Sequence, residues 1–189
     1  MSMRAMTLSR RDTVPALLPV AAGLLLLLAR VEIVSMGSAT VALLVLVYCA
    51  LGVVSLAPRP ASITSLLSPG VVALVGIGAV AAVSAAPWRI DVPSIGSVGA
   101  VALGVLAAVA EEAFFRRLLY ASLLPAGVAA AVIGSAVLFA LVHVPLYGTS
   151  VVWLDLGAGL LLSWQRWASG SWVAPATTHA FANVLAVLR

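Results

Sequence analysis

Between Leu118 and Leu154 the chain runs for 37 residues with no acidic or basic side chain except His143. That is enough for one full bilayer crossing and the start of another, because a helix needs about 20 apolar residues to traverse the hydrocarbon core. Similar intervals recur. Thr13–Ala29 is 17 charge-free residues, Ile33–Pro58 26, Pro60–Trp88 29, Val92–Ala110 19, and Trp167–Leu188 22 with only His179 inside it. Charged residues make up 8% of the 189 and hydrophobic ones 63%, whereas a soluble domain carries roughly a quarter charged. Too little polar surface exists to coat a water-exposed globule, so lipid is the expected solvent. In lipid the backbone must satisfy its own hydrogen bonds, which selects helices.

Turn residues divide these intervals at Pro58-Arg59-Pro60, Pro69-Gly70, Pro87 to Pro93, Leu124-Pro125, Pro145 to Gly148 and Ser169-Gly170. The pattern predicts an all-α, polytopic transmembrane helical bundle of about seven helices with a polar intramembrane cavity. The helices are expected near 14–36, 38–57, 69–86, 95–122, 126–144, 150–166 and 172–188. Residues 1–189 read as a single integral membrane domain, with 1–12 as a cytoplasmic N-terminal segment. The first apolar stretch follows Arg4, Arg10 and Arg11 like a secretory signal, but further apolar segments make it an uncleaved helix. With the N-terminus inside, Arg4, Arg10, Arg11, Arg59, Arg116, Arg117 and Arg166 face the cytoplasm of a multi-pass cell-membrane protein. Arg30, Arg89 and Arg189 then lie outside, in keeping with the positive-inside rule.

The net charge of +4 comes entirely from arginine, since there is no lysine. The arginines occur singly or in pairs, so the basic stripe that a nucleic-acid partner requires is missing. Cys49 is the only cysteine, which excludes an intramolecular disulfide and a cysteine-based metal site.

Ionisable residues inside a bilayer are costly, so each is a functional candidate. Glu111, Glu112, His143 and His179 stand out, and Asn183 joins them four residues after His179. In Glu111-Glu112-Ala113-Phe114-Phe115-Arg116, Glu112 and Arg116 are i and i+4, in the order that favours pairing. Glu111 points about 100° away on the helix and has no local partner. It sits beside a like charge in an apolar wall, a setting that makes a carboxylate more basic and suits a general base. Phe139 and His143 share a helix face, as do His179 and Asn183. Taken singly, the acids read as a membrane-edge charge cluster and the polar pair as interhelical hydrogen bonding. Together they supply a base, a second carboxylate, two imidazoles and an amide donor. Water attack on a carbonyl needs a base and donors for the oxyanion.

The ordered series Glu-Glu-x-x-x-Arg at 111–116, Phe-x-x-x-His at 139–143 and His-x-x-x-Asn at 179–183 resembles the CPBP family. That family, also called Abi, is named for CAAX proteases and bacteriocin-processing enzymes. Leu156-Gly157 to Arg166, Gly170-Ser171-Trp172 and Ala174-Pro175 extend the likeness, which makes residues 98–189 a CPBP-like catalytic core. The resemblance implies an intramembrane endopeptidase similar to type II CAAX prenyl endopeptidases, acting on a membrane-associated or lipidated polypeptide. It implies that Glu111 activates water with help from His143, and that His179 and Asn183 steady the oxyanion. Glu112 and Arg116 would shape and charge-balance the site. No cofactor is favoured; a divalent metal, zinc held by Glu111, His143 and His179, is the alternative, although no His-Glu-x-x-His is present. Two rival readings remain at this level, a catalytically silent membrane scaffold or regulator and an ion or small-molecule transporter. Simple up-down helices set Glu111 and His143 about 10 Å apart in depth at 1.5 Å per residue.

Overall fold

Every long apolar run forms a helix in the computed structural model, which describes residues 10–36, 40–56, 64–85 and 98–188. Seven helices appear among the described residues: α1 (Arg10–Val34), α2 (Thr40–Leu56), α3 (Pro69–Ala85), α4 (Val98–Ala126), α5 (Val128–Tyr147), α6 (Val152–Ser169) and α7 (Val173–Val187). Residues 1–9 of the expected N-terminal segment, the breaks at 58–60 and 87–93, and Arg59, Arg89 and Arg189 lie outside the described residues, while residues 10–12 of that segment already belong to α1. Among the described residues, three helices are long and apolar enough to cross a bilayer: Leu17–Val34 within α1, α4 and α5. The molecule is a membrane protein.

Its surface chemistry is inverted relative to a soluble globule. Leu18, Leu46, Val53 and Leu74 are exposed, whereas Arg30, Glu111, Glu112, Arg116, Gln165 and Arg166 are buried. Outward apolar side chains can meet lipid, and the inward polar ones answer one another. The strongest packing partners are α5 with α6, α2 with α4, and α4 with α7. Leu27, Leu51, Phe114, Phe115, Phe139 and Leu162 form the main apolar core at the junction of α1, α2, α4, α5 and α6.

Close approach between α5 and α6 depends on one small residue. A Cβ on Gly159 would lie 3.0 Å from the backbone of Ala136, so glycine lets the helices meet at van der Waals distance. Beside this crossing Ser135 and Ser163 share a 2.9 Å hydrogen bond between their hydroxyls. At the other side of the bundle, Gln165 Nε2 donates to Val72 O at 2.7 Å and to Thr178 Oγ1 at 2.9 Å. One buried amide thereby ties α6 to α3 and α7.

The α4 helix is longer than expected and internally irregular. Val98–Glu112 is α-helical, Ala113–Leu119 is a π segment, Tyr120–Leu123 returns to α, and Leu124–Ala126 closes as a 3-10 turn. The wider π turn leaves Tyr120 N–H bonded to Phe115 O, and such turns recur at functional sites. Reversal into α5 comes at Gly127, whose φ of +107° lies where a side chain would be strained. The expected break at 122–126 is thus displaced. At the other end of α5, the helix runs past Pro145 to Tyr147, and α6 starts after a 3-10 turn at Thr149–Val151.

Displacing the hairpin to Gly127 removes the expected depth mismatch. Glu111 is 16 residues before Gly127 (127 − 111) and His143 is 16 after it (143 − 127). In an antiparallel pair those positions fall at one level.

Candidate active site

The structure brings the two carboxylates of α4 to separate polar partners. Glu112 is fully buried, with Arg116 Nε 3.1 Å from its Oε2. That contact is ionic without hydrogen-bond geometry. Its other oxygen, Oε1, lies 2.9 Å from His179 Nδ1 on α7. Arg116 is also fully buried; its Nη2 donates to Gly159 O at 3.1 Å, and its guanidinium lies 4.8 Å from the centre of the Phe139 ring. One arginine therefore joins the acidic helix to the tightest helix crossing.

Glu111 was expected to lack a local partner, and along its own helix it has none in the ion pairs found. Across the bundle, however, Arg30 of α1 donates from Nη1 to Glu111 Oε1. The same Nη1 lies 3.4 Å from the Tyr48 hydroxyl of α2, and Nη2 lies 3.4 Å from Val142 O of α5. Arg30 is only 2% exposed, so it belongs to the bundle interior although it was expected at the outer side of the membrane. Arg116 and Arg166 are buried too, so three of the arginines counted for orientation belong to the interior. Arg166 Nε donates to Arg116 O at 2.9 Å within the π segment, and its Nη1 donates to Gly170 O.

The second oxygen of Glu111 faces α5. Its Oε2 is 3.7 Å from His143 Nε2, while His143 Nδ1 lies 2.6 Å from Phe139 O. A ring nitrogen beside a carbonyl must donate, so this contact places a proton on Nδ1. A neutral His143 then presents an unprotonated Nε2 towards Glu111. Two acceptors at that spacing call for a bridging proton or water.

Phe139 is the wall between the imidazoles. Its ring centre is 4.5 Å from His143 and 5.6 Å from His179, and Phe115 packs edge-on against it at 5.3 Å. Asn183, half-buried one turn beyond His179, donates through Nδ2 to Gly104 O at 2.9 Å. An amide nitrogen carries two protons, so one donor remains. Asp155, near the start of α6, was not singled out from the sequence. Its Oδ2 is buried without a hydrogen-bond partner among the described residues.

A zinc ion fits this arrangement poorly. Arg30 occupies one oxygen of Glu111 with a cation, which weakens that carboxylate as a metal ligand. Among the described residues, no three His, Cys, Asp or Glu side chains are grouped to hold a metal ion. A shallow groove of about 310 Å³, lined by Val109, Trp172, Val173, Ala176, Thr177 and Ala180, runs between α4 and α7. It is apolar, and none of the six expected site residues lines it.

Two positions escaped the sequence reading for a common reason. Arg30 and Tyr48 each interrupt a long apolar stretch of their helix, far in sequence from the motifs. The available signal was the rarity of arginine within an apolar stretch, and its place near the end of α1 masked it.

Residues 93–185 match the family model described as type II CAAX prenyl endopeptidase Rce1-like. No match was found among curated proteins or among solved structures.

Proposed function

We propose, on the premise that residues 93–185 belong to the Rce1-like type II CAAX prenyl endopeptidase family, that this protein is an intramembrane endopeptidase whose base is Glu111. The observation that carries the assignment is the division of labour between the adjacent acids. Glu112 is committed to Arg116 and His179, while Glu111 directs one oxygen at His143 Nε2 across 3.7 Å. A water held between those two groups gives a proton to Glu111 Oε2 as its oxygen attacks the peptide carbonyl carbon. The C–N bond of the resulting tetrahedral intermediate breaks as Glu111 returns that proton to the leaving amine.

Charge builds on the carbonyl oxygen during attack, and donors placed for it lower the barrier. Asn183 has its second amide proton for this purpose. His179, with Nδ1 at Glu112, presents Nε2–H when the ring is cationic. Arg116 acts through Glu112, fixing the carboxylate that in turn orients His179. The substrate is a membrane-associated or lipidated polypeptide, and the N-terminus of the enzyme faces the cytoplasm.

The test compares membrane-fraction proteomes of cells carrying wild type or Glu111→Gln at equal expression. New peptide termini present only with wild type establish the protease and name its substrate. Identical profiles from two stably inserted proteins refute it and favour a scaffold.

A further inference from the structure

The matched segment begins at residue 93, yet the proposed base is held by a residue from α1. The geometry points to Arg30 as a positioning residue that sets Glu111 against His143, a role that rests on the reading of Glu111 as the base. Three features of the contact carry the inference.

First, the pairing is one-sided. Arg30 holds Oε1 of Glu111 and leaves Oε2 to His143. A bidentate clamp, frequent among arginine–carboxylate pairs, would have engaged both oxygens and crowded the one that faces His143. Holding one oxygen also fixes the rotation of the carboxylate plane, which otherwise turns freely.

Second, the same planar group reaches the chain beside the imidazole. Nη2 lies 3.4 Å from the carbonyl of Val142, the residue before His143. Arg30 thus references the base on α4 and the histidine on α5 to one rigid fork, with the Tyr48 hydroxyl of α2 as a third contact. Lysine, a point charge without a plane, cannot reproduce this geometry fully.

Third, the charges balance in pairs. Glu112 has Arg116 and Glu111 has Arg30. Removing Arg30 leaves Glu111 with His143 as its only remaining close ionic partner among the contacts found. A pair kept for stability alone is a poor use of a membrane interior, because apolar side chains of equal volume serve as well or better.

The experiment uses the fact that the chain has only two histidines. Full-length protein in lipid nanodiscs, with 15N-labelled histidine, gives one set of imidazole signals each for His143 and His179, assigned with His179→Gln. Arg30→Gln is expected to shift the His143 nitrogen signals and leave those of His179 in place, because His179 answers to Glu112. Arg30→Lys is expected to restore the His143 signals most of the way. Unmoved His143 signals, or equal movement of both rings, overturn the proposal. If Arg30→Gln does not insert, Tyr48→Phe carries the test: it must shift His143 in part and spare His179, and no shift overturns the idea. These spectra do not depend on cleavage, so failure of the protease reading in the proteomic comparison is a separate result. With a cleaved substrate in hand, Arg30→Gln should lower kcat by about 100-fold, as expected for roughly 1 Å of misplacement, while KM changes little.

Discussion

Replacing Arg116 by methionine tests whether Glu112 is held in place by charge or merely by packing. Arg116 and Glu112 are both fully buried, 3.1 Å apart. Removing one partner from such a pair leaves an uncompensated charge, which costs about 3–5 kcal/mol. The donor to Gly159 O also disappears, adding about 1 kcal/mol at the low end for a carbonyl already inside a helix. Methionine keeps most of the packing against Phe139, and its sulfur–aromatic contact of about 0.3–1.5 kcal/mol offsets much of the lost cation–π attraction. The net expectation is a loss of about 4–6 kcal/mol, dominated by the stranded carboxylate. Adding Glu112→Gln removes that carboxylate while preserving an oxygen for His179 Nδ1. The double variant should therefore be more stable than Arg116→Met alone, by about 2 kcal/mol. SDS-driven unfolding in mixed micelles, run on wild type, both single variants and the double, measures all four corners. If the double variant loses the sum of the two single losses, the charges are not coupled and the account of Glu112 is wrong.

Two further outcomes are expected. Gly159→Ala places a methyl group 3.0 Å from the Ala136 backbone and should cost about 1–3 kcal/mol through separation of α5 from α6, with proteolysis falling as the residue-159 carbonyl that holds Arg116 shifts; an unchanged unfolding curve would show that the crossing is not tight. Prolonged treatment with a strong divalent chelator should leave proteolysis intact, and activity lost to the chelator and regained with zinc alone would overturn the metal-free water activation.

How much of this was legible depended on sequence separation. The Glu112–Arg116 pair follows from helical spacing alone, and the structure has it. The seven helices follow from where charges and turn residues interrupt apolar runs. The Arg30–Glu111 contact spans 81 residues and no periodicity links its ends, so Arg30 read as a charge at the outer end of the first helix. Orientation counting suffered for the same reason, since Arg116 and Arg166 bond inside the bundle. The depth of His143 relative to Glu111 was misjudged because Pro125 looked like a helix terminator. In the structure the α4 helix passes through a π segment and a 3-10 turn to reach Gly127. Local propensity could place the turn within a few residues, but only the packing of α4 on α5 and α6 fixes where the chain reverses.

The 81-residue interval between Arg30 and Glu111 also sets an order of events at the ribosome. At roughly 5–20 residues per second, Arg30 is synthesised roughly 4–16 s before its acidic partner. During that time the guanidinium has no Glu111 to meet. Its location four residues before Val34, the last residue of α1, gives it a way to wait, because a long basic side chain near a helix end can reach the lipid headgroups. The Arg30–Glu111 contact can close only once α4 has been made, so synthesis of α1 and completion of this contact are separate steps.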